Sequence, residues 1–126
     1  MLSIDLKNLK QALASEELIV FAYLFDSHAT GEVTPLSDVD LAVYPARKLS
    51  LDDRLAIIYR LNKKTKLDNL DITFLDGLEN LDLLAGIIDK GVLLLDRDKE
   101  RREFFEVMAH HRFLDFQYQR KLYMGV

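Results

Sequence analysis

Residues 19–25 read IVFAYLF, an unbroken apolar run rich in β-branched and aromatic side chains. Its shortness and the polar residues that bound it favour a buried strand over a helix. Whatever else the chain forms must cover that strand.

The rest of the sequence supplies the cover. Leu6, Leu9 and Leu13 recur at helical spacing, so roughly residues 3–15 read as a first amphipathic helix. Gly31, Thr34, Pro35 and Ser37 mark a connection after the apolar run, with one short helical turn following Ser27. A second strand spans Asp38 to Tyr44 and stops at Pro45. Ser50 and Asp53 form a capping-box signature for a helix that Leu51, Leu55, Ile58 and Leu61 carry to about Lys66. NLDITFL, residues 69–75, reads as a third strand closed by Gly77. A helix fits 79–89 until Gly91 breaks it, VLLLD makes a short strand, and Asp98 caps a last helix. Phe104, Phe105, Val107, Met108 and Phe113 are the expected buried stripe of that helix. Strands and helices alternate, so the expected class is α/β (α+β), a small mixed sheet with helices against it.

At 126 residues the chain is expected to be one domain, 1–126, and to bury one core. Apolar residues at 49% and charged ones at 30% are those of an ordinary globular protein, which argues against disorder. No run is long enough to span a bilayer, and MLSIDLKNLK lacks the order of a signal peptide, so a cytoplasmic location is expected. Without cysteine, any metal must be held by oxygen or imidazole. A net charge of −4 argues against a dedicated nucleic-acid binder.

The chemistry is expected where the second strand begins. In DVDLAVY the side chains of Asp38 and Asp40 share one face, while Val39, Leu41 and Val43 share the other. Two neighbouring carboxylates repel unless solvent or a cation compensates them, and Mg²⁺, a hard oxygen-seeking ion, is the natural compensator. Asp71 starts the same alternation in the third strand, so it joins the pair if that strand lies beside the second. The ordinary alternative is that Asp is common at strand ends and a D-x-D arises by chance.

Leu24 to Val43, LFDSHATGEVTPLSDVDLAV, resembles the signature of the minimal nucleotidyltransferases of the polymerase-β-like superfamily, in which Gly-Ser, ten residues and Asp-x-Asp follow in order. Ser27, the gap, Asp38 and Asp40 match in register. Gly31, Thr34 to Ser37, the strand with Asp71, and GVLLLDRDKERREFFEV with RFLDF are similar to the MNT-domain antitoxins that accompany HEPN-domain toxins. The resemblance implies an enzyme that moves AMP from ATP onto a tyrosine of a HEPN ribonuclease toxin. It implies that Asp38 and Asp40 hold Mg²⁺, that Asp71 completes the site and helps deprotonate the acceptor, and that Ser27 binds the outer phosphates.

Asp26 stands where the family pattern has glycine. At about 5 Å and an effective dielectric near 20, its carboxylate would repel one phosphate charge by roughly 3 kcal/mol, or about two powers of ten in affinity. His28 and Thr30 also replace two basic residues common after the Gly-Ser, so weak nucleotide binding is expected. Asp26 reads as an N-cap in preference to an extra metal ligand. The alternative to an active enzyme is therefore the same fold neutralising its partner by binding alone.

Other candidates have ordinary readings. His110 and His111 are adjacent and make a poor chelating pair; Asp96 and the charge run to Glu103 read as a solvated helix start. Phe113, Phe116, Tyr118 and Tyr123, interleaved with Arg112, Arg120 and Lys121, mark the C-terminal segment, about 98–126, either as a partner-docking surface or as simple core packing.

Overall fold

The computed structural model describes residues 6–25, 39–67 and 69–124. Four strands, β1 (Ile19–Phe25), β2 (Val39–Pro45), β3 (Leu70–Phe74) and β4 (Val92–Asp96), form one sheet in the order β3-β2-β1-β4. β1 runs antiparallel to β2 and β4, and β2 runs parallel to β3, so the sheet is mixed. The helices are α1 (Leu6–Ala14), α2 (Leu51–Thr65), α3 (Leu81–Lys90) and α4 (Lys99–Met124), with a 3-10 turn at Leu75–Gly77. Among the described residues the expected order of elements and the mixed α/β class are those observed, and the short turn expected after Ser27 lies outside them.

IVFAYLF is the interior strand its composition demanded. Both of its faces are covered, because side chains alternate across a strand. Ala22, Leu41 and Val43 meet Leu9 and Leu13 of α1 and Ile57 and Leu61 of α2. Phe21, Tyr23 and Ala42 meet Leu84 and Ile87 of α3 and Ala109 of α4 on the other side. The face that carries Asp40 is thus covered farther along the strand. Ala42 and Tyr44, two and four residues along it, lie under α4 with Phe21 and Phe105.

Local signals set the helix ends. The Ser50 hydroxyl accepts from the Asp53 N–H at 3.1 Å, and Lys66 closes α2 in the left-handed region at φ 58°. Asp98 accepts from the Arg101 N–H at 3.1 Å to start α4. Gly91 ends α3 by donating to the Ile87 carbonyl at 2.7 Å, and a Cβ there would lie 2.3 Å from that oxygen, so only glycine permits the approach.

The expected buried stripe of α4 needs correction. Phe105 and Ala109 are buried or half-buried and Phe113 is half-buried, but Phe104, Val107 and Met108 are exposed. At 3.6 residues per turn, positions 105, 109 and 113 share a face that 104, 107 and 108 cannot reach. One helix offers one face to one sheet.

Candidate active site

β2 and β3 are parallel and directly in register, with Asp40 opposite Asp71. Partners in such a ladder point to the same face from backbones about 4.8 Å apart. The two carboxylates therefore stand side by side, as the alternation in each strand predicts for neighbouring strands. Asp40 is 3% exposed because β2 is interior, whereas Asp71 is exposed on the edge strand β3. Phe25 at the end of β1 pairs with Asp40 from the other side, so this end of the sheet receives β1 and begins β2 and β3.

Among the described residues, no group of three or more His, Cys, Asp or Glu is placed to hold a metal ion. Two oxygen donors, one buried and one open to solvent, are what those residues bring together. Hard donors on adjacent strands fit a cation such as Mg²⁺, which keeps positions for other oxygen ligands. Asp26, Ser27 and Asp38 lie outside the described residues.

A polar chain on the same face was not evident from the sequence. The Tyr23 hydroxyl donates to the Glu106 carboxylate, and Arg102 bridges Glu106 at 3.0 Å and Asp96 at 2.9 Å. The acidic and basic residues read as a solvated helix start thus include a half-buried clasp between β1, β4 and α4. Arg102 and Glu106 at i, i+4 were the available signal, but nothing in sequence spacing pointed to Tyr23.

Burial pushes the Tyr23 hydroxyl well above the usual phenol range, and its bond to the Glu106 carboxylate adds to the shift. The unfolded chain loses this proton first as pH rises past about 10, so the stabilisation is complete below that value and declines above it. Chemical denaturation between neutral pH and pH 11 is expected to show a steeper alkaline loss of stability for the natural chain than for Tyr23→Phe. Equal slopes would mean that the clasp does not couple to folding.

The sequence matches the family model described as Polymerase beta, Nucleotidyltransferase over residues 7–100. A search of curated proteins gives no significant match. Among solved structures, the tri-AMPylated Shewanella oneidensis HEPN toxin in complex with MNT antitoxin aligns with a TM-score of 0.70 at 19% identity, covering 95% of this chain and 92% of that one. A toxin–antitoxin structure with AMP-PNP aligns at 0.74 and 20% identity over 96% of both chains. A third, the toxin–antitoxin MntA-HepT, aligns at 0.69 and 20% over 95% and 93%. At these identities the likeness is one of fold. The family match spans the strands that bear both acids and covers most of the sequence, and on it the chain belongs to the polymerase beta nucleotidyltransferase family.

Proposed function

We propose that this chain is a nucleotidyltransferase antitoxin that transfers AMP from ATP to a tyrosine of a partner HEPN ribonuclease toxin in the cytoplasm. The observation that carries the reading is the direct register of Asp40 with Asp71 in a nucleotidyltransferase fold. Its support from relatives is that solved structures of the same fold include one with a tri-AMPylated toxin and one with AMP-PNP. Among the described residues no helix is long and apolar enough to cross a membrane.

Asp38, Asp40 and Asp71 are the residues that would hold Mg²⁺, which when bound neutralises charge on the nucleotide phosphates. Ser27 binds the outer phosphates in this reading. Asp71, the more solvent-accessible of the two described acids, accepts the proton of the incoming hydroxyl. The acceptor oxygen bonds to the α-phosphorus as the bond to pyrophosphate breaks, and the protein's part is to align the two and balance charge. The single domain 1–126 uses its C-terminal segment, about 98–126, for docking, a reading that the exposed apolar residues of α4 support.

The test is the intact mass of the purified toxin after incubation with this protein, ATP and Mg²⁺. One or more added adenylyl groups are expected; an unchanged mass with bound toxin still inhibited would favour neutralisation by binding alone. Position 26 is what favours that second reading. By the same charge argument, Asp26→Gly is expected to tighten ATP binding by about a hundredfold in calorimetric titration. Equal affinities would place the Asp26 carboxylate away from the phosphates.

A further inference from the structure

α4 has two apolar faces, and the sheet uses one. Phe105, Ala109 and Phe113 face the core, leaving Phe104, Met108, Tyr118 and Leu122 on the opposite side at 69%, 46%, 65% and 64% exposure. With His111 and Asp115 between them, positions 104, 108, 111, 115, 118 and 122 alternate steps of four and three, the seam of a paired helix. The stripe runs about 27 Å, and Val107 and Leu114 widen it along one flank. An exposed apolar stripe of this kind, with one polar pair at its middle, marks an interface.

The charges along the seam select the occupant. If an identical helix lies antiparallel, Phe104 meets Leu122, Met108 meets Tyr118, and His111 meets Asp115 of the second copy, each layer occurring twice about a two-fold axis. Glu103 on the rim then falls beside Lys121 of the other helix. A parallel copy would set His111 on His111 and Asp115 on Asp115 in the seam, like against like. We propose that the outer face of α4 binds a second copy of this chain, forming a two-fold dimer through an antiparallel helix pair. This does not rest on the transferase reading. It gives the docking segment its occupant.

Sedimentation equilibrium of the full chain at micromolar concentration is expected to show a dimer. Met108→Glu places a charge in the seam and is expected to weaken association by at least about a hundredfold. Glu103→Lys is expected to weaken it about threefold to tenfold, and adding Lys121→Glu to restore it. The chain has no cysteine, so cross-linking reports direction cleanly. Under mild oxidation a mixture of Phe104→Cys and Leu122→Cys chains is expected to form a linked pair, while Phe104→Cys alone does not. A monomer at all concentrations, a dimer indifferent to Met108→Glu, or self-linking of Phe104→Cys would each overturn the proposal.

Discussion

Asp40→Asn is expected to lower AMP transfer by about a thousandfold while leaving melting within about 5 °C of the natural chain. The two effects separate for a structural reason. Asparagine keeps the shape of a side chain that is 3% exposed on an interior strand, so the packing of Ala42 farther along the same face is undisturbed. What it loses is one of the two negative charges set side by side by the β2–β3 register. A metal-assisted phosphoryl transfer depends on that charge; the fold does not. Transfer assays paired with calorimetric melting decide the matter, and a parallel loss of both would make Asp40 a structural residue.

Phe21→Ala is expected to cost about 3–5 kcal/mol, a large share of the roughly 5–15 kcal/mol that holds a domain folded. Phe21 is fully buried at the centre of an aromatic cluster, stacked on Tyr44 at 4.7 Å and tilted against Phe105 at 5.6 Å, with Tyr23 edge-on at 5.9 Å. Removing its ring leaves a cavity where β1, β2 and α4 converge, and three aromatic neighbours cannot collapse into it together. Urea titration is the measurement. A midpoint close to that of the natural chain would mean that the cluster repacks and that α4 is held by other contacts.

How much of this was legible in the sequence follows from what each residue's signal depends on. IVFAYLF announced an interior strand because burial acts on every position of a short run alike. The acids at 40 and 71 were legible because alternation fixes the face of each, leaving only strand order open, and the parallel β2–β3 pairing supplies it. The second face of the sheet was harder to see. Small Ala42 gave little hint of the helix above it, and the cover comes from α3 and α4, far away in the chain. α4 misled for another reason: it carries apolar residues on both sides, so composition alone could not tell core from surface at Phe104 or Met108. The Tyr23 clasp is a long-range contact between β1 and α4, and no local period encodes such a contact.

Labelled ATP with Mg²⁺ and purified HEPN toxin puts transfer of AMP by an aspartate pair in register to the test. Label on the toxin with the natural chain, absent with Asp38→Asn/Asp40→Asn and stronger with Asp26→Gly, is the expected result. Label transferred equally by the double variant, or by none of the three, would contradict it.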